Sequence, residues 1–488
     1  MKIKILLSSA LLNAEDMFGQ YSKGAGAYLP HGLLSIASVL RKHGHDVSIC
    51  DPYAMGMDEA AYKSYLIANK FDIIGLGNCY TSQTDNYFTT AKICKEVLPN
   101  TKICIGGAHP TLFAQETLER CPYIDFAVRG EGECQFLKLT ETLSNDDFDF
   151  SIIEGLVFRS KDGIRSNVLP LPIENIDDIP LFPYHLLHMD KYIPPPSNYK
   201  QLPTYGMLVQ RGCPYGCVYC DSRIHGKKLR QISIKRAIEE IKFLCDYYGM
   251  KGVIFHDSVF TINRNWVMSL CEKLLENKIN IHWSCYTRCD LVDNELCRLM
   301  KKAGCWNISL GIESANQASL DLIKKNITVS QIVCGIEAVH NAGIETIGSV
   351  ILCLPGEDET MVKNTIHFVK AMNIDFPVFF MPVPFPGTEL YDLCKQDGGL
   401  IENIDWADYR QWMDQKNPLY INPKIGKEKM IALYQHAFRT FYLSPKYILK
   451  SFRKIRTLSD FKKYFRGFCS IKGLFGISIK SPFLSMRD

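Results

Sequence analysis

This 488-residue chain contains no run of eighteen apolar residues, so no bilayer-spanning helix is expected. It has no short-period repeat and no low-complexity tract, which removes solenoids and propellers from consideration. Nor is charge of one sign in excess. The formal net charge is +4 on 56 basic and 52 acidic residues, a balance that by itself implies no nucleic-acid partner. The 19 cysteines are an odd number scattered through apolar segments, unlike a secreted disulfide scaffold. They point to the reducing cytoplasm, where a thiol serves as a small buried hydrophobe. In "MKIKILLSSALL" two lysines precede an apolar run, as in a short signal peptide. The same residues open a strand–helix alternation and are read as the first strand.

The length favours two or three domains. Over residues 1–145, short apolar runs ("IKILLSSAL", "DVSICD", "FDIIGLGN", "KICIGGAHP", "IDFAVRG") alternate with helical patterns, which predicts a parallel doubly wound α/β sheet. Residues 146–203, with "NVLPLP", "IDDIPLFP" and "YIPPPSN", break both periodicities and are expected to be an interdomain connection. From 204 to about 395 the alternation resumes with six apolar strands, "YGMLVQR" to "FPVFFMPVPFP", suggesting a partial barrel. Residues 396–488 are expected to form a mainly helical extension.

The loop "RGCPYGCVYCDSR" places Cys213, Cys217 and Cys220 within eight positions, directly after the first barrel strand, where parallel α/β folds carry their chemistry. A closed zinc site wants four ligands and a disulfide two. An iron-sulfur cube held by three thiolates leaves one iron open to a small molecule. The alternatives are three structural cysteines, or a zinc site completed by His225.

This Cys-x3-Cys-x2-Cys spacing, with Tyr219 before the third Cys, resembles the signature of the radical S-adenosylmethionine (SAM) superfamily, whose cofactors are a 4Fe-4S cluster and SAM. Further fragments follow in the family's order. "FHDSVFTINR" puts His256 and Asp257 at the segment that meets the SAM amino group, although the second acidic position often found there is Ser258. "YTRCD" puts Arg288 near the SAM carboxylate. "GIESAN" puts Glu313 and Ser314 by the ribose, and "LCLPGE" and "PFPGTELY" continue the match. Arg223, His225 and Arg230 either line the SAM or substrate pocket or are solvated.

In the first domain, "LPHGLLSIASVLRKHGHDV", "GLGNCYTS", "GGAHPT" and "VRGEGE" resemble, in order, the Rossmann-like cobalamin (B12)-binding domain fused to many radical SAM enzymes. Gly75, Gly77, Gly106 and Gly107 would let a large planar ligand approach the backbone, with Asn78, Ser82 and Thr111 as polar neighbours. A domain that keeps the fold without a corrinoid is the alternative. No histidine follows an Asp by two positions, so the Asp-x-His-x-x-Gly axial ligand of mutase-type domains is lacking.

The resemblance implies a cobalamin-binding doubly wound domain joined to a partial (β/α)6 TIM-like barrel. It also implies a cytoplasmic methyltransferase acting on an unactivated carbon or phosphorus centre of a small molecule or lipid, fed by an electron donor such as flavodoxin or ferredoxin. A radical rearrangement or ring-forming oxidoreductase and a non-catalytic corrinoid-binding protein are the rivals. No general acid, base or nucleophile is assigned. Residues 445–488 hold eleven Lys or Arg against two Asp, with Ile448, Phe452, Ile455, Phe461, Phe465 and Phe468 at helical spacing. That pattern suits either a peripheral membrane contact or a terminal helix packed on the barrel.

Overall fold

A computed structural model describes residues 3–19, 22, 25–145, 149–220, 224–413, 416–445 and 447–449. Arg223 and the tail positions Phe452, Ile455, Phe461, Phe465 and Phe468 lie outside the described residues. Among the described residues, no helix is long and apolar enough to cross a membrane.

The first sheet is built from β1 (Lys4–Ser8), β2 (Asp46–Cys50), β3 (Ile73–Leu76), β4 (Lys102–Gly106) and β5 (Phe126–Val128). They run parallel in the order β2-β1-β3-β4-β5. Alternation along β1 explains the two-sided burial. Leu6 joins one apolar layer with Tyr62, Leu66, Tyr87 and Leu118, whereas Ile5 and Leu7 join the other with Leu33, Leu40, Phe136 and Leu139. Helices on both faces and a reversal of strand order between β1 and β3 define a doubly wound fold, which places ligands beyond the carboxyl ends at that reversal.

The expected connection 146–203 needs correction. It contributes β6 (Leu156–Ser160) and β7 (Gly163–Ser166), a hairpin that extends this sheet antiparallel from β5. Both strands are short, and the Pro-rich and Asp-rich residues around them hide their alternation.

The second sheet contains β8 (Thr204–Met207), β11 (Gly252–Phe255), β12 (His282–Arg288), β13 (Cys305–Glu313), β14 (Glu345–Ile351) and β15 (Phe376–Phe380). All six are parallel and pair in chain order, with β8 and β15 left as open edges, so the barrel is partial. The strand expected at "YGMLVQR" is interrupted. After β8, a separate β9 (Gln210–Arg211) pairs antiparallel with β10 (Arg230–Gln231) and forms the neck of the cysteine loop.

Two segments of the extension pack back. Helix Lys427–Tyr442 covers β15, with the Phe379 and Phe438 rings 5.2 Å apart. The 3-10 segment Trp406–Met413 crosses to the first domain. There Trp406 lies 4.3 Å from the His109 ring and under the Arg120 guanidinium at 4.1 Å. Arg410 Nε donates to Ser82 O at 2.9 Å.

Candidate active site

At the neck of the cysteine loop, Gly212 has φ +83, and a Cβ there would stand 2.1 Å from Lys228 O, so only glycine fits. Cys213 N–H donates to Gly226 O at 3.2 Å, and Cys220 N–H to Cys217 O at 3.1 Å. Val218 docks the loop on the barrel through Ile323 O and the Leu390 amide. Cys213 and Cys217 are half-buried and Cys220 is exposed. Among the described residues, no three His, Cys, Asp or Glu side chains converge on a point that would hold a single metal ion. His225, weighed as a fourth zinc ligand, instead meets Glu131 through Nδ1 at 3.0 Å.

Two buried cations attend this loop. Burial pushes the Cys213 thiol pKa up, while Arg288 and Lys325 oppose the rise. Lys325, which the sequence motifs did not single out, donates to Glu313 Oε1 at 2.8 Å, and Tyr219 donates to the same oxygen at 3.0 Å. Gly311 makes room for this pair: a Cβ there would lie 2.6 Å from both Glu313 Oε1 and Lys325 Nζ. Glu313 itself sits at φ +62, a strained backbone for a non-glycine residue at the mouth of the barrel. Burial lowers the Lys325 pKa, but Glu313 outweighs that effect and keeps it raised, so the ammonium stays charged beside the loop. Cationic surroundings of this kind fit an anionic thiolate-bound cluster.

Arg288 binds Asp290 through Nε at 2.9 Å and Nη2 at 3.0 Å, and its guanidinium lies 4.0 Å over the Tyr215 ring. Its Nη1 is buried without a partner. Asp257 Oδ1 accepts from the amides of Val209 and Gln210, while Oδ2 is buried and unpartnered. Burial pushes the Asp257 carboxyl up to about 7, against those two amide bonds. An orphaned acceptor and an orphaned cationic donor thus end the neighbouring strands β11 and β12, a charge pattern that fits the ammonium and carboxylate of an amino acid such as SAM.

The other expected SAM contacts sit differently. Ser314 is buried and donates to Glu357 Oε1 at 3.1 Å, bracing the "LPGE" turn. His256, next to Asp257 in sequence, points the opposite way into a ring cluster with Tyr28, 4.9 Å away, and His31, 6.1 Å away. Burial, with some help from His31, lowers its pKa to about 3, so it is neutral.

That ring cluster borders a cavity of about 730 Å³ between the two domains. One wall is the carboxyl end of the first sheet, including Ser9, Asn78, Gly106 and Gly130. The other is barrel residues Leu208, Ser258 and Tyr286. A Cβ at Gly106 would meet nothing within 4 Å and would stand in the cavity, a cradle left open for a ligand. Tyr80, within the "GLGNCYTS" fragment, keeps 57% of its surface accessible, yet burial raises its phenol pKa. Tyr80 is one of the residues that line the cavity.

Gly75, Gly77 and Gly107 also line the cavity, and the protein's own packing leaves no room for a side chain at them. A Cβ at Gly77 would strike Leu33 at 2.4 Å, one at Gly75 would meet Leu7 and Phe136 at 2.9 Å, and one at Gly107 (φ +129) would meet Cys79 N at 2.5 Å. Thr111 and Ser82 do not line the cavity. Thr111 Oγ1 donates to Gly107 O at 2.7 Å and accepts from Gly130 N at 3.0 Å, tying two loops together. Arg230 is taken up by Glu131 in a two-pronged ion pair at 2.9 and 2.8 Å.

Comparison with known proteins agrees with both halves. Residues 207–369 match the Radical SAM superfamily and residues 22–139 the B12 binding domain. An uncharacterized methyltransferase of Pyrococcus horikoshii is 32% identical over 423 residues, covering 86% of this chain and 89% of that protein. The anaerobic magnesium-protoporphyrin IX monomethyl ester cyclase of Rubrivivax gelatinosus is 27% identical over 91% of this chain and 78% of its own length. The solved structure of the radical S-adenosylmethionine methyltransferase TsrM from Kitasatospora setae, with cobalamin and a 4Fe-4S cluster bound, superposes with a TM-score of 0.71 at 14% identity. It covers 97% of this chain and all of that one, which establishes the shared fold. With a cradle at the end of the first sheet, three thiols on a cationic loop and relatives matched along both domains, the chain belongs to the B12-binding radical SAM enzymes, which work with a 4Fe-4S cluster, SAM and cobalamin.

Proposed function

We propose that this enzyme is a cytoplasmic methyltransferase that methylates an unactivated carbon or phosphorus centre of a small molecule or lipid, with flavodoxin or ferredoxin as electron donor. The observation that carries the reading is one cavity bordered by both the cobalamin-type sheet ends and the barrel mouth, so that a substrate held there faces both cofactors. When bound, the cluster and SAM supply a 5'-deoxyadenosyl radical and methylcobalamin supplies the methyl group.

In this reading the chain's residues position and exclude. Cys213, Cys217 and Cys220 hold the cluster, with Tyr219, Glu313 and Lys325 shaping the loop's surroundings. The orphaned Asp257 Oδ2 takes the SAM ammonium and Arg288 Nη1 its carboxylate. Gly106, Asn78 and Tyr80 face the corrinoid, and the neutral His256 with Tyr28 and Tyr286 walls the substrate side against water.

With substrate and methyl-labelled SAM, methylated product should appear with 5'-deoxyadenosine and S-adenosylhomocysteine in roughly equal amounts, because each cycle consumes one SAM for the radical and one for the methyl group. The similarity to a cyclase favours one second reading, ring formation. It would be revealed by 5'-deoxyadenosine formed with a product of unchanged carbon count and no S-adenosylhomocysteine.

A further inference from the structure

The turn after β5, Gly130-Glu131-Gly132-Glu133, lines the interdomain cavity and also grips the neck of the cysteine loop. Glu131 Oε2 accepts from Arg230 Nη1 at 2.9 Å and from the Ile173 amide at 2.8 Å. Its Oε1 accepts from Arg230 Nη2 at 2.8 Å and His225 Nδ1 at 3.0 Å, and lies 3.3 Å from Arg211. Glu133 Oε1 accepts from Arg211 Nη2 at 2.6 Å and from Ser35 at 2.5 Å.

The side chains of Glu131 and Arg230 are each only 3% exposed. Arg211 and Arg230 are the paired residues of β9 and β10, the two sides of the loop's neck. Arg230 also donates to the His225 carbonyl at 2.8 Å, within the same loop. Burial works to raise the Glu131 pKa, but His225, Arg230, Arg211 and the Ile173 amide overcome it and hold the carboxyl well below its usual range. The group is therefore a fixed anion. Buried ion pairs of this type add little net stability, because desolvation offsets their attraction, and in some proteins they fix one arrangement of the parts they join.

We infer that Glu131 is a positioning residue that couples the two cofactor sites: filling the cavity with corrinoid fixes the Gly130–Glu133 turn, and Glu131 passes that constraint through Arg230 to the loop carrying the cluster thiols. The turn lines the cavity while its two carboxylates hold the loop's neck, so a ligand that orders the turn orders the loop. The inference rests on the cofactor assignment above.

The test uses the full chain with reconstituted cluster, with and without hydroxocobalamin, and reads the rate of iron loss to a chelator together with amide exchange over residues 224–231. In the wild type, hydroxocobalamin should slow iron loss by about fivefold or more, a typical coupling between sites, and slow the exchange. Glu131→Gln keeps the side chain's shape but not its charge. It should assemble the cluster and bind hydroxocobalamin while losing the protection, and Arg230→Lys, which keeps charge without the fork, should behave likewise. Equal protection in wild type and Glu131→Gln overturns the inference. If the variants fail to fold, the wild-type exchange decides alone: corrinoid bound with no change over 224–231 overturns it. Hydroxocobalamin that fails to bind the wild type in equilibrium dialysis sinks the cofactor assignment as well, and the two failures are told apart by that dialysis.

Discussion

Gly106 and Gly107 are adjacent, and the structure gives them opposite reasons to be glycine. Gly106 ends β4, and a Cβ added there touches no protein atom within 4 Å. Replacing it by Val puts the new Cβ into the ligand's cradle without touching the protein. Folding stability should change by no more than about 1 kcal/mol, the span of strand preferences. Bound corrinoid would have to give way, at about 1–3 kcal/mol for overpacking, which weakens binding by roughly five- to 150-fold. Gly107 has φ +129, and its Cβ would stand 2.5 Å from Cys79 N and 2.8 Å from Cys79 O, both backbone atoms that cannot rotate away. Gly107→Val should cost at least about 3 kcal/mol of stability from backbone strain and overlap together. Thermal melts of the ligand-free chain and equilibrium dialysis with hydroxocobalamin separate the two effects. If Gly106→Val melts like the wild type and also binds hydroxocobalamin like the wild type, the cradle at the end of β4 is not where the corrinoid sits, and the reasoning fails.

Replacing Cys213, Cys217 and Cys220 together by Ala should lower iron from about four per chain to near none with the circular dichroism unchanged, since none of the three is a core residue. Full iron retention would move the cluster to other thiols. For Asp257, whose folded carboxyl is pushed up to about 7, the folded state holds a proton that the unfolded state releases near its ordinary value of about 4. Its contribution to the stability of the SAM-free chain is complete below about pH 4 and is lost as pH rises through about 7. Asp257→Asn should therefore flatten the fall in melting temperature between about pH 4 and pH 7. Parallel slopes for the two proteins would refute the burial argument.

The strands of both sheets were readable because parallel strands buried on both faces are continuous apolar runs, and helices between them keep a different period. The hairpin β6–β7 was hidden because its two short strands lie among prolines and aspartates, and only their pairing with β5 makes them strands. The three thiols were legible as a local spacing. Lys325 was not, because its meaning comes from Glu313 and Tyr219, brought to it by the fold. The same holds for Arg230, whose partner Glu131 is 99 residues away. Consecutive residues His256 and Asp257 read as one motif in the sequence, yet at a strand end they point to opposite sides and serve different surroundings.

The crossing of Trp406 and Arg410 to the first domain changes the mechanics of the whole enzyme. A body hung from one thread can swing in any direction, whereas one held at two separated points can only rock about the line between them. The first domain is held to the barrel by the chain running through 167–203, by the ion pairs of Glu131 and Glu133 with Arg230 and Arg211, and again by the 406–413 segment at His109, Arg120 and Ser82. The ion pairs to Arg211 and Arg230 oppose that rocking as well, so the cavity widens only where one of these sets of contacts gives way.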